Sequence, residues 1–105
     1  MITCGEGKYK VWLKKEMLGA DILYTLGGGE RPHIGAVVVK EQGRRIRTLR
    51  LGNHYDHIVL KPIVMAAYKK YRCTVVGVGG VHIDNATKDE IRILVNNCKG
   101  LIACI

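Results

Sequence analysis

Four histidines carry most of the chemistry open to this chain: His33, His54, His57 and His82. An imidazole can ligate a metal, donate to a phosphate or a carbonyl, or move a proton near neutral pH. His54 and His57 flank Asp56, and His82 precedes Asp84 closely. Together His54, His57, His82 and Asp84 offer the donor types of a zinc site, provided the fold joins two loops. The same H-x-x-H spacing equally suits a helix cap beside two surface imidazoles, with Asp56 as the cap. His33 follows Pro32 and opens a β-branched run. It either contacts a ligand at a loop mouth or is satisfied by backbone groups.

Two glycine-rich segments lead into these histidines. Gly27-Gly28-Gly29-Glu30-Arg31 lets backbone N–H groups approach a phosphate that Arg31 would pair, or else forms a hairpin tip. It lacks the G-K-[ST] ending of a P-loop. Gly79-Gly80-Val81-His82-Ile83-Asp84-Asn85 runs from an apolar stretch into a helix start. Helix N-termini attract anions, and Asp84 and Asn85 there either orient a polar ligand or form the turn.

Other chemistries are excluded or left open by composition. The chain contains no serine, which removes Ser–His–Asp catalysis. Cys4, Cys73, Cys98 and Cys104 form no C-x-x-C pair and read as reduced, mostly buried thiols. Cysteine–histidine chemistry depends on spatial neighbours that spacing does not reveal. The formal net charge of +8 attracts anions, whether nucleic acid, an acidic protein or a phosphate-bearing cofactor. Basic clusters occur at Lys8, Lys10, Lys14 and Lys15, and at Arg44, Arg45, Arg47 and Arg50. No aromatic-rich strand accompanies them to stack bases, so a solvated sheet edge is favoured over nucleic-acid binding.

The elements that must position these residues follow from periodicity. At 105 residues the chain predicts one domain, 1–105, with a Val, Ile and Leu core because it has no Phe. No apolar run reaches the roughly 18 residues of a membrane span, and Met1 to Lys10 lacks a signal-peptide core, so a cytoplasmic protein is expected. Tyr9 to Leu13 and Asp21 to Leu26 alternate as half-buried strands about a Leu18-Gly19 turn. Gly27 to Pro32 reads as a loop, and His33 to Lys40 as a third strand forming a hairpin with the second. Gln42-Gly43 turns into a fourth strand, Arg45 to Leu51, with arginines suited to an edge. Ile58, Val59, Pro62, Ile63, Ala66, Ala67 and Tyr71 have helical spacing, with Pro62 near the start. Thr74 to Val81 reads as a buried central strand. Thr87-Lys88-Asp89-Glu90 matches a capping box, opening a helix that ends or breaks near Gly100. The order β-β-β-β-α-β-α predicts an α+β domain: a largely antiparallel sheet with two helices in the C-terminal half.

Gly27 to Val39 (GGGERPHIGAVVV) and Gly79 to Ile91 (GGVHIDNATKDEI) resemble the small accessory subunit of gallate-type and hydroxybenzoate-type nonoxidative decarboxylases. That is the prenylated-flavin chaperone-like family, related in fold to proteasome assembly chaperones. Gly52 to Asp56 (GNHYD) resembles the family's Gly-His-x-Asp loop, and the likeness spans about residues 5 to 100. It implies a non-enzymatic accessory protein that binds prenylated FMN, or FMN, and supplies it to a decarboxylase large subunit. Pro32, His33, Gly35, His54, Asp56, His82, Asp84, Asn85 and Thr87 match the family's motifs, and Gly28, Gly29 and Arg31 join them as candidate cofactor contacts. A homodimer is expected, without membrane association. A protein-assembly module of the same fold and a histidine-based metalloenzyme remain the alternatives.

Overall fold

A computed structural model describes residues 1–105. Its elements are β1 (Ile2–Cys4), a 3₁₀ turn (Gly7–Tyr9), β2 (Val11–Leu18), β3 (Asp21–Gly28), β4 (Ala36–Lys40), β5 (Arg47–Arg50), α1 (His57–Tyr71), β6 (Val75–Gly79) and α2 (Lys88–Ile102). The α+β class and the two late helices agree with the sequence pattern. The three-residue β1 is too short to show a period.

The six strands form one sheet in the order β1-β2-β3-β6-β4-β5. Every neighbouring pair is antiparallel except β3 and β6, which run parallel. This corrects the hairpin expected between the second and third predicted strands: β6 lies between β3 and β4 and pairs with both. The wholly apolar run Val75–Gly79 needs burial, and only an interior position supplies it. The third strand also starts later than its Val-rich pattern suggests, at Ala36, so His33 lies in a loop. Gly27 and Gly28 belong to β3. The Cβ that any other residue would carry at position 27 would fall 2.2 Å from the Trp12 ring.

Both helices cover one face of the sheet, α1 against β4 and β6 and α2 against β1 and β2. Val11, Leu13, Ile22, Tyr24, Leu26, Val38 and Val75 meet Leu60, Ile63, Val64, Ala67, Leu94, Cys98 and Leu101 in one core. Gly77 lets α1 approach, since a Cβ there would lie 2.7 Å from Val64. Burial pushes the Tyr24 hydroxyl and the Cys98 thiol each up to about 12. Cys98 alone among the thiols is fully buried; Cys4 and Cys73 are half-buried and Cys104 is exposed, fewer buried than expected.

Two helix details differ from their sequence signals. Pro62 lies beyond the first turn of α1, so the Ile58 carbonyl loses its intrahelical partner. Ile58 is exposed, and water can satisfy that group. Gly100 sits inside α2, which continues to Ile102, because a side chain there would collide with Cys4 Sγ. The capping box is present as expected: Thr87 Oγ1 accepts from Glu90 N at 3.1 Å, and Glu90 Oε1 accepts from Thr87 N at 3.1 Å.

Candidate functional site

Three loops emerge at one end of the sheet: residues 29–35 after β3, 51–56 after β5, and 80–87 after β6. They bring together His33, His54, Asp56 and His82. The first and third loops are laced by backbone bonds. Glu30 N and Arg31 N both donate to the His82 carbonyl, at 2.7 and 3.2 Å. Gly29 permits this approach: its φ is +73°, and a Cβ would sit 2.3 Å from His82 O.

Asp56 is the pivot. It is 7% exposed, yet its carboxylate does not cap α1. Its backbone is already helical, and the side chain turns inward, which corrects the capping role expected from sequence. Oδ1 accepts from Val81 N at 3.0 Å, and Oδ2 lies 3.0 Å from His33 Nε2. The Val81 N–H lies just past the end of β6, and the carboxylate supplies its partner. Two glycines make the slot. A Cβ on Gly35 would fall 1.9 Å from Asp56 Oδ2, and one on Gly80 would fall 2.6 Å from its Cγ.

His33 stands beside two other imidazoles, with ring centroids 4.4 Å from His54 and 5.9 Å from His82. His82 Nε2 lies 3.0 Å from Asp84 Oδ1, which also accepts from Arg31. The Asp84 carboxyl is held below its usual range, first by the His82 hydrogen bond, against partial burial, and then by the Arg31 charge. Asp84 N is in turn held by Glu30 Oε1 at 3.0 Å. Asn85 takes a left-handed backbone, φ 52°, in the turn before α2.

The histidines border two hollows. The larger, 590 Å³, runs between α1 and α2 and is walled by Ile58, Val59, Val81, Ile83, Ile91 and Leu94. His33, His54, Asp56, His82 and Asn85 line its polar end. The smaller, 330 Å³, is bounded by Arg31, Pro32, Ile34 and the same three histidines. Of the candidate cofactor contacts named from sequence, Gly28, Gly29, Gly35, Asp84 and Thr87 line neither hollow. Gly28, with φ +143°, lets β3 pass the Lys10 carbonyl. Thr87 is committed to its cap. The tetrad His54, His57, His82 and Asp84 does not converge. The donors that do meet are His33, His54 and Asp56, within 4.8 Å of one another. His57 lies apart, its Nδ1 buried without a partner.

The apolar wall was missed from sequence as a site, although Ile91, Leu94 and Val95 repeat at i, i+3 and i+4 along α2. A second cluster was missed as well. Glu90 binds Lys8 at 2.8 Å and Tyr9 at 3.1 Å, tying the 3₁₀ turn to α2. The Lys8 contact, the Thr87 N–H and the Tyr9 hydroxyl lower the Glu90 carboxyl to about 2.

An apolar hollow with a histidine-lined polar end, beside a smaller one that Arg31 borders, has the make-up of a small-molecule site carried by loops on a rigid sheet. Residues 5–105 match the prenylated flavin chaperone LpdD-like domain, and the chain belongs to that family. No curated protein matches the chain. No helix is long and apolar enough to cross a membrane.

Proposed function

We propose that this protein is a non-enzymatic carrier of prenylated FMN that serves a nonoxidative decarboxylase. The observation that carries this reading is the pair of hollows that share His33, His54 and His82 in their walls. A volume of 590 Å³ lies within the roughly 300–1,000 Å³ of small-molecule sites, and its wall is mostly apolar. A polycyclic flavin ring system suits that wall. The smaller hollow offers Arg31, His33, His54 and His82 to a phosphate, and the net charge of +8 favours the anion. The bound group supplies the chemistry of nonoxidative decarboxylation, which takes place in the large subunit. The chain's own residues bind and orient: Arg31 is held in place by Asp84, His33 by Asp56, and Asn85 offers polar atoms on the wall of the larger hollow.

Tyr55, Ile58 and Ile91 are 63%, 55% and 50% exposed around the larger hollow. This apolar rim is where the large subunit would dock for transfer. Self-association would use the sheet face opposite the helices, where Trp12, Leu23, Val37, Val39, Val76 and Val78 are only half-buried.

The test is co-expression with a flavin prenyltransferase, anaerobic purification, and absorption and mass spectra of the product. Stoichiometric prenylated FMN is expected, lost in Ala86→Trp, which fills the apolar hollow. A folded protein that emerges bare would overturn the carrier reading and favour a protein-assembly module of the same fold.

A further inference from the structure

We propose that His33 Nε2, a ring nitrogen of His54 and Asp56 Oδ2 together bind one divalent first-row transition-metal ion. The three donors lie within 4.8 Å of one another, on two loops anchored to the same sheet end. His33 Nε2 and Asp56 Oδ2 are 3.0 Å apart. Metal bonds of about 2.1 Å at right angles place adjacent donors about 3.0 Å apart, so this pair already spans one edge of a coordination sphere. His54 is exposed, and rotation of its ring completes the third position.

The supporting groups are those a metal site needs. Val81 N–H fixes Asp56 Oδ1, which leaves Oδ2 directed at His33. His33 Nδ1 faces the Arg31 carbonyl at 3.5 Å, an acceptor for Nδ1–H once Nε2 gives up its own proton to bind a metal. Partners of this kind orient ligating imidazoles and carboxylates. Gly35 and Gly80 keep clear the slot that holds Asp56. His82 is engaged by Asp84 and stands outside the donor set.

Two imidazoles and one carboxylate leave further coordination positions open, a donor set that suits Fe(II), Zn(II) and their neighbours. His33 and His54 line both hollows, so the open positions face whatever enters them. With Arg31 adjacent, an oxyanion such as a phosphate monoester is the fitting exogenous ligand. The metal inference does not depend on the flavin reading, because the ion is held by protein donors alone.

The experiment uses chelator-stripped full-length protein, with Co²⁺ and Zn²⁺ as probes. Calorimetry is expected to give one ion per chain. The Co²⁺ absorption should lack a thiolate band and should shift when inorganic phosphate is added. His54→Ala, at an exposed position, should weaken binding at least 10-fold, while Cys104→Ala leaves it within a few-fold. Asp56→Asn provides a second variant, with circular dichroism confirming its fold. Absence of Co²⁺ binding by the wild type would overturn the proposal. So would binding unchanged in both His54→Ala and Asp56→Asn, or binding lost in Cys104→Ala. The flavin test needs no added metal, so either conclusion can fail alone.

Discussion

Gly80→Ala should change the sign of its effect on stability according to whether Asp56 is present. The three atoms nearest to a Cβ at Gly80 are Asp56 Cγ and Oδ2 at 2.6 Å and Oδ1 at 2.9 Å. The carboxylate has no free retreat, because Val81 N–H holds Oδ1 and His33 sits on Oδ2. In the wild type the added methyl therefore overpacks the site, at a cost of about 1–3 kcal/mol. Asp56→Ala alone leaves the Val81 N–H without its partner and unseats His33, costing about 3 kcal/mol for the buried, charge-assisted bonds lost. In that background the slot is empty. Gly80 has no positive φ, so alanine fits its backbone. Gly80→Ala should then stabilise by about 0.4–1 kcal/mol through the unfolded chain. The cycle predicts a coupling of about 1.4–4 kcal/mol, the difference between the two effects of Gly80→Ala. Equilibrium urea unfolding of the four proteins measures it. Equal Gly80→Ala costs in both backgrounds would refute the slot argument, even if each single variant behaved as expected.

Glu90 and the thiols give two further expectations. The Glu90 carboxyl sits at about 2 when folded against an ordinary 4.5, so the unfolded chain takes up its proton first as pH falls. The stabilisation is therefore complete above 4.5 and lost progressively as pH falls toward about 2. The stability difference between wild type and Glu90→Gln should shrink across that window, and a flat difference in acid denaturation would contradict it. Cys98, buried with its thiol at about 12, should resist a thiol reagent in the native protein while exposed Cys104 reacts at once. Mass mapping of the labelled sites decides this; native labelling of Cys98 would mean that α2 opens far more readily than its packing implies.

The elements legible in the sequence were those defined by local signals. The capping box at Thr87 to Glu90 needs only two side chains and their own backbone. The Val75–Gly79 strand announces itself by being apolar on both faces, and the Arg-bearing β5 is indeed an edge strand. What stayed hidden depends on partners distant in sequence. Asp56 looked like a helix cap because its nearest neighbours are helical; its real partners, His33 and Val81, lie 23 and 25 positions away. Gly35 and Gly80 carried no sign that they make room for a carboxylate. His54 and His82 were legible as loop residues, but His33 was expected to open a strand and lies in a loop, His57 begins α1, and which of them meet was not legible. His33, unremarkable in the H-x-x-H reading, stands at the centre, and His57 stands outside.

The insertion of β6 between β3 and β4 is what assembles the site. Because β3 and β6 run parallel, their C-terminal ends finish together, with Gly29 bridged to His82 just beyond. Because β4 runs antiparallel to β6, its first residue, Ala36, pairs with Gly79 at that same end, and Arg50 at the end of β5 pairs with Ala36 in turn. The loops carrying His33, His54 with Asp56, and His82 must therefore emerge side by side. A β3–β4 hairpin would have put those two strands next to each other and moved His82 to another part of the sheet. Ligand sites in open sheets lie outside the carboxyl ends of parallel strands for the same geometric reason. Here a single parallel pair is enough, since its antiparallel neighbours return the remaining loops to the same edge. The cluster is thus a property of strand order, and changes confined to one loop should alter its chemistry without dispersing it.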